Sequence, residues 1–183
     1  MVGLCSTLPI YRNIRWWCPR ASKDGKDGVQ VGIISTSNLP SEFIEQEYPL
    51  RVEEYSLIMN SGGAGKYWGW GGVTPGCKLA NHKRVFNAAG ERLQYKPWGL
   101  FDGELGNSGR SMIKDGKDER RLDDKPSGVE VTSEFRIVVE SPGAGSYGLV
   151  EEWALDAVRS DQQSGKSTAA SIERHYCDVQ RKV

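Results

Sequence analysis

The sequence predicts an α+β protein, in which a β-rich domain of antiparallel strands with glycine turns is followed by a C-terminal helical pair. Three observations support this fold class. The 22 glycines among 183 residues favour turns and β-structure over a helical bundle. Short β-prone runs alternate with clusters of Gly, Asn, Asp and Ser. Apolar residues recur at helical spacing in residues 151–160 and 167–176, near the end of the chain.

The central stretch is residues 48–73, YPLRVEEYSLIMNSGGAGKYWGWGGV. Its first part, residues 50–58, predicts a two-sided strand, because Leu50, Val52 and Ile58 share one face while Glu54 interrupts it. The following Asn60-Ser61-Gly62-Gly63 predicts a sharp reversal, since adjacent glycines tolerate positive φ. Alternation of tryptophan with glycine at residues 68–72 then indicates a backbone packed closely beneath aromatic rings.

The remaining elements follow from local turn signals. Residues 29–34 predict a buried strand, and residues 40–47 a short helix that Pro49 stops. We expect two hairpins, at residues 77–86 with 91–95 and at residues 110–114 with 119–122. Two further strands follow at residues 129–132 and 135–140, and two helices at residues 151–160 and 167–176 end the chain. This order predicts a β-meander whose helical pair lies across the sheet or against a partner.

The charge balance argues against nucleic-acid and membrane functions. Lys+Arg and Asp+Glu both number 24, whereas nucleic-acid and acidic-membrane surfaces require a positive excess. The basic and aromatic residues of segment 1–20 could stack on single-stranded nucleic acid, but no wider basic surface accompanies them. No apolar run reaches the length of about 20 residues needed to span a membrane.

The cysteines predict a cytoplasmic protein with free thiols. Cys5, Cys18, Cys77 and Cys177 are widely separated and form no C-x-x-C pair, so neither a zinc site nor a disulfide framework is indicated. We also expect no signal peptide, since the start of the chain lacks a basic region followed by an unbroken apolar run. The near-zero net charge leaves self-association or docking open.

One stretch could form an anion-binding nest. Gly62, Gly63 and Gly65 could direct backbone N–H groups at an anion, with Lys66 adding positive charge. A purely structural glycine turn is the favoured alternative, because no helix follows to contribute its dipole.

Three further motifs invite ligand-binding interpretations that their surroundings do not support. Residues 143–148 fit G-x-G-x-x-G, but no second strand follows to complete a βαβ unit. Residues 164–167, SGKS, end like a phosphate-binding loop but lack its earlier glycine and preceding strand. Residues 24–28, DGKDG, lack the spacing and closing glutamate of a calcium loop.

No catalytic or metal-binding residue is predicted. The chain has two histidines, His82 and His175, one in a predicted strand and one in the last predicted helix. An isolated histidine in such a place is more commonly exposed or hydrogen-bonded than catalytic. No cysteine lies beside a base that would activate it as a nucleophile.

Ordered sequence blocks resemble the hydantoinase B/oxoprolinase family, which includes related subunits of acetone and acetophenone carboxylases. The blocks are DGKDGVQVGIISTSNLPSEFIEQEYPL (24–50), PLRVEEYSLIMNSGGAGKYWGWGGV (49–73), GLFDGELGNSG (99–109), ESPGAGSYG (140–148) and the closing segment 157–179. The resemblance corresponds to about the last third of a full-length member and implies a C-terminal domain at residues 23–183. Residues 1–22 form an atypical segment, which we expect to be disordered or a non-native start.

The resemblance implies a fragment or split subunit of an ATP-dependent hydrolase of cyclic amides such as lactams, hydantoins or 5-oxoproline, inactive alone. ATP and a divalent metal are then expected in the full assembly, with none bound by this chain. The implied partners are a hydantoinase A-type subunit and the N-terminal part of the B-type subunit, in a hetero-oligomer. A ketone carboxylase component and a non-catalytic interaction module remain alternatives.

Overall fold

The computed structural model describes residues 19–27, 39–69, 71–80, 83–116 and 118–180, and the predicted strand at 29–34 lies outside them. Helix α1 spans Ser41–Glu47, a 3-10 turn spans Val150–Glu152, and helices α2 and α3 span Leu155–Gln163 and Ala169–Gln180. The strands are β1 (Leu50–Leu57), β2 (Val73–Leu79), β3 (Arg84–Phe86), β4 (Arg110–Asp115), β5 (Asp118–Arg121), β6 (Val129–Val131) and β7 (Arg136–Glu140). The α+β class and the C-terminal helical pair are therefore confirmed.

The strands form an antiparallel five-stranded sheet of order β1-β2-β7-β4-β5 and a small β3-β6 sheet. The predicted meander is wrong, because β7 lies between β2 and β4. Val138 of β7 is opposite Gly76 on one side and Met112 on the other, and its side chain is only 3% exposed. Turn signals report only neighbours in sequence, so they could not reveal this insertion.

The two predicted hairpins have different outcomes. The hairpin at 110–114 and 119–122 is confirmed as β4 and β5, with Asp115 opposite Asp118. The hairpin at 77–86 and 91–95 is wrong: residues 91–95 contain no strand, and β3 pairs instead with β6, Arg84 opposite Val131. Val131 is completely buried, and its burial favours this pairing with a strand that is distant in sequence.

Two apolar clusters hold the described residues together. One lies between α1 and the sheets and contains Ile44, Leu50, Leu79, Ile113, Leu122 and Val131. The other joins the C-terminal helices to the loop after β1 and contains Ala64, Trp68, Trp153, Val158, Ile172 and Tyr176. The helical pair therefore packs on the glycine-rich loop through Trp68, which the predicted position across the sheet did not anticipate.

None of the helices in the described part of the chain combines the length and the apolar character that a bilayer crossing requires.

Candidate functional site

Three glycine-rich segments, residues 60–72, 97–109 and 141–148, form a hydrogen-bonded layer that we call the glycine layer. The Gly63 N–H donates to the Ala144 carbonyl at 2.9 Å, and the Asn107 N–H donates to the Ser61 carbonyl at 2.8 Å. Gly143 closes the triangle by donating to the Asn107 carbonyl at 3.0 Å. The segments satisfy one another's backbone groups, which lets irregular chain be buried.

Glycine is needed in this layer mainly because the backbones of neighbouring segments approach one another too closely to leave room for a Cβ atom. A Cβ atom at Gly62 would overlap the Gly69 carbonyl, and one at Gly143 would overlap the Ser61 carbonyl. Neither residue has a positive φ; the left-handed residue in the reversal is Asn60, with φ of 55°. The expectation that Gly62 and Gly63 reverse the chain through positive φ is therefore wrong, whereas the expected close backbone packing is present.

The aromatic residues of the glycine layer anchor the helical pair. Trp68 stacks on Trp153 with ring centroids 5.3 Å apart, and Trp153 contacts Tyr176 at 4.6 Å. All three side chains are buried. Burial raises the pKa of the Tyr176 hydroxyl well above its ordinary value, so this group stays neutral and acts as part of the core.

The acidic turn at residues 24–27 caps the glycine layer. The Trp68 N–H donates to Asp24 Oδ1 at 2.7 Å, and the Gly71 N–H donates to Asp27 Oδ1 at 3.2 Å. Burial raises the pKa of Asp24, while the Trp68 N–H and Lys166 act in the opposite direction. The two carboxylates thus serve as backbone acceptors, a role that the Asp-Gly pattern did not indicate.

Lys166 joins this turn to the connection between α2 and α3. Its Nζ lies 2.8 Å from Asp27 Oδ2 and 3.7 Å from Asp161 Oδ1. Burial raises the pKa of Asp161, and the charge on Lys166 partly opposes that effect. The phosphate-loop resemblance at residues 164–167 is thus a helix–turn–helix connection, with Gly165 at φ of 76°. Its lysine is paired with Asp27 and Asp161.

A cavity of about 220 Å³ opens beside this ion pair. Its wall includes Asp27, Ser61, Trp68 and Lys166. The Ser61 hydroxyl is already committed, since it donates to the Ile58 carbonyl at 2.7 Å and accepts from the Gly72 N–H at 2.8 Å. The hydroxyl, the carboxylate and the ammonium group of this wall therefore have partners within the chain.

The predicted anion-nest residues also have protein partners. Gly63 donates to Ala144, the Lys66 N–H donates to the Gly148 carbonyl at 3.3 Å, and Lys66 Nζ donates to Glu152 at 2.8 Å. The hydrogen bond with Glu152 raises the pKa of Lys66. A Cβ at Gly65 would crowd the Ser146 side chain, so this residue too is packed against its neighbours. The anion site at Gly62, Gly63, Gly65 and Lys66 stays a prediction.

The described histidine contacts a carboxylate of the glycine layer. His175 Nδ1 lies 3.0 Å from Glu104 Oε2, and this contact ties α3 to the glycine layer; His82 lies outside the described residues. Cys77 is buried in β2. Across the described ranges, no group of three His, Cys, Asp or Glu side chains is arranged to hold a metal ion.

The G-x-G-x-x-G segment at residues 143–148 is part of the glycine layer. The Ser146 N–H donates to the Glu104 carbonyl at 3.0 Å, and the Gly148 N–H donates to the Leu100 carbonyl at 2.9 Å. Val150–Glu152 follows as a 3-10 turn before α2, so the segment does not open a regular helix as a dinucleotide-binding loop would.

Comparison with known proteins finds relatives that match most of the chain, including the glycine layer. The hydantoinase B/oxoprolinase family profile matches residues 16–150. The putative B-type subunit of a D-/L-hydantoinase from Pseudomonas sp. (strain NS671) is 34% identical over 149 residues, covering 80% of this chain and 25% of that protein. The chain thus spans about a quarter of the length of this relative.

Two solved structures share the fold. The ATP-dependent caprolactamase from Pseudomonas jessenii superimposes with a TM-score of 0.72 at 20% identity, covering 88% of this chain and 29% of that one. An acetone carboxylase, in its nucleotide-free structure, gives a TM-score of 0.65 at 17% identity, covering 85% and 25%. From the profile match over residues 16–150, this chain belongs to the hydantoinase B/oxoprolinase family.

Proposed function

We propose that this chain is the glycine-layer domain of a hydantoinase B-type subunit within an ATP-dependent cyclic-amide hydrolase, and that it is inactive alone. The observation that carries the proposal is the 34% identity to a putative hydantoinase B-type subunit, of which the chain covers 25%. A domain that corresponds to a quarter of such a polypeptide would contribute structure and an interface to a site completed elsewhere.

ATP and the divalent metal belong, in this proposal, to the rest of the assembly. Support comes from the chemistry of the side chains: the described residues offer no group of three metal ligands, and Asp27 is already paired with Lys166. The side chains in the described ranges do not fit a catalytic metal. We propose partners of two kinds, a hydantoinase A-type subunit and the remainder of a B-type subunit, in a cytoplasmic hetero-oligomer.

A ketone carboxylase is the second candidate, because an acetone carboxylase shares the fold at a TM-score of 0.65. The two reactions differ in their substrates and products. Cyclic-amide hydrolysis opens a ring with water, whereas carboxylation adds bicarbonate-derived carbon to a ketone; both would consume ATP.

The test is reconstitution. The purified chain is assayed with ATP and Mg²⁺ or Mn²⁺ on hydantoin, 5-oxoproline and caprolactam, and on acetone with bicarbonate, first alone and then with both partner polypeptides. We expect no turnover alone and ring opening in the full mixture. Turnover of similar rate by the isolated chain would reject the proposal. Carboxylation without ring opening would select the second candidate.

A further inference from the structure

The turn at residues 100–103 holds an aromatic residue in an unfavourable conformation at the protein surface. The Gly103 N–H donates to the Leu100 carbonyl at 3.1 Å, and the two residues between them have positive φ, 51° at Phe101 and 64° at Asp102. This is the geometry of a type I′ turn, which normally uses Gly, Asn or Asp. A left-handed Phe costs about 1–2 kcal/mol.

Burial within this chain does not offset that cost, because Phe101 remains 70% exposed. Its ring contacts Tyr147 at a centroid distance of 4.9 Å, and Tyr147 lies 6.2 Å from Tyr67. Leu100 forms a parallel bridge with Tyr147, Leu149 follows Tyr147 by two residues, and both leucines are more than two-fifths exposed. We call this set the aromatic face: Tyr67, Leu100, Phe101, Tyr147 and Leu149.

Charged groups border the aromatic face. Lys66 Nζ lies 5.8 Å from the Tyr67 ring centroid and pairs with Glu152 at 2.8 Å, and Asp102 follows Phe101 in the turn. An apolar, aromatic-rich centre with a polar rim is the usual composition of a protein–protein interface. Aromatic anchors of this kind carry a large share of binding energy.

The backbone beneath the aromatic face is held in place by other segments. Leu100 donates to the Ser146 carbonyl at 2.8 Å, and Tyr67 and Tyr147 exchange N–H···O bonds of 3.0 and 3.1 Å. Gly145 is packed so closely that a Cβ there would overlap the Trp98 carbonyl. A face fixed in this way needs little further ordering when it binds, which favours affinity.

We propose that the aromatic face docks onto the part of a hydantoinase B-type subunit that lies outside the quarter matched by this chain. The argument for this occupant is length. The chain covers 25% of the hydantoinase relative, so about three quarters of such a polypeptide must meet this domain across part of its surface. The inference rests on the proposed function and names the surface that would serve it.

The experiment co-expresses the full chain, affinity-tagged, with the remainder of the B-type subunit of the Pseudomonas sp. hydantoinase, and measures co-purification. We expect the wild-type chain to retain the partner and F101D to retain it at least tenfold less, as for a central anchor. F43D is the matched control, because Phe43 is an exposed phenylalanine on α1, and we expect it to bind like the wild type.

F101G separates a docking role from a structural one. Glycine adopts the left-handed turn freely, so this variant should raise the melting temperature of the isolated chain while lowering co-purification. If F101G lowers both the melting temperature and the co-purification of the partner, Phe101 only stabilises the turn and the inference is overturned. The inference is also overturned if the wild-type chain and F101D retain equal amounts of the partner, although that result does not contradict the proposed function.

Two further outcomes are decisive. If the wild-type chain retains no partner, the proposed function fails and this inference fails with it. If the isolated wild type sediments as a dimer and F101D as a monomer, the aromatic face joins two copies of this chain, and the inference is wrong.

Discussion

Trp68 of the glycine layer and Trp153, just before α2, stack with centroids 5.3 Å apart and an angle of 21° between their planes. Trp153 is also in contact with Tyr176 of α3. One side chain therefore connects the glycine layer to the last helix. That connection is one of the contacts that hold the C-terminal helices on the glycine layer.

We expect W153A to destabilise the protein by about 3–5 kcal/mol, because removing a buried aromatic leaves a cavity. Urea unfolding followed by circular dichroism measures the free energy. W98A is the control: Trp98 is 59% exposed and the Arg92 guanidinium lies 4.1 Å from its ring centroid, so its loss should cost about 1 kcal/mol. Equal costs for the two variants would show that the stack does not hold the helices.

We expect G143A to destabilise the protein by about 1–3 kcal/mol, since the added methyl group must displace the Ser61 carbonyl and the segments around it. G71A is the matched control, because a Cβ there meets nothing nearer than 3.5 Å. That variant should lie within about 1 kcal/mol of the wild type. Thermal melts of both proteins compare them, and a stable G143A would show that the glycine layer tolerates expansion.

Asn60 fixes the start of α3 from across the structure. Its Nδ2 donates to Thr168 Oγ1 at 3.0 Å, and its Oδ1 accepts from the Thr168 N–H at 2.9 Å. We expect N60A to cost about 2 kcal/mol for the two hydrogen bonds, plus about 1 kcal/mol of left-handed strain.

The variant N60G loses the same two bonds without the strain at φ of 55°. It should therefore be about 1 kcal/mol more stable than N60A. Chemical unfolding of both gives the difference. Identical stabilities would mean that the left-handed backbone at this position carries no strain.

The stability contribution of Asp161 should decrease with rising pH. Burial raises the pKa of Asp161 above its ordinary value of 3.8. At pH values from about 3.8 upward, the carboxyl group therefore keeps its proton longer in the folded state than in the unfolded state. Because the folded state binds more protons there, the free energy of unfolding falls as the pH rises. Because asparagine mimics the neutral acid, D161N should gain stability relative to wild type as the pH rises above the ordinary pKa of 3.8.

E54Q provides a control of opposite sign. Hydrogen bonding from Ser56, and then from Arg136, lowers the pKa of Glu54 against the effect of burial, so its contribution is present at higher pH and lost as the pH falls. E54Q should therefore lose stability relative to wild type as the pH rises. Unfolding curves of D161N and E54Q, measured across the pH range, test these two expectations. If the stabilities of the two variants relative to wild type change in the same direction with pH, the opposite pKa shifts of Asp161 and Glu54 are contradicted.

The local signals in the sequence predicted elements that short-range geometry controls. The β4–β5 hairpin was predictable because its turn and its strands are contiguous, and α1 because Pro40 and Pro49 bracket it. The ordered sequence blocks also identified the family. The order of the sheet was not predictable in this way, since β7 lies between β2 and β4 to bury Val138, and no local pattern marks that position.

The candidate sites show the same division. The sequence marked Gly62 as part of a turn and Gly143 as the start of a G-x-G-x-x-G motif, but only the folded chain shows that both are needed for close approach between backbone segments. No sequence signal indicates the Asp27–Lys166 ion pair, because it depends on a contact between residues far apart in the chain. None indicates that Phe101 is an exposed left-handed residue either, because its dihedral angles follow from no periodic pattern of residues.

By itself, the sequence determined the family, the antiparallel β-rich character, the glycine-rich segments and the positions of the C-terminal helices, since composition and short-range periodicity control these. The tertiary structure alone decided that the glycine segments hydrogen-bond to one another, that Trp68 stacks on Trp153, and that the aromatic face is left exposed. The physical reason is that close packing and backbone hydrogen bonding join residues far apart in the chain, and their partners are selected only when the whole core forms.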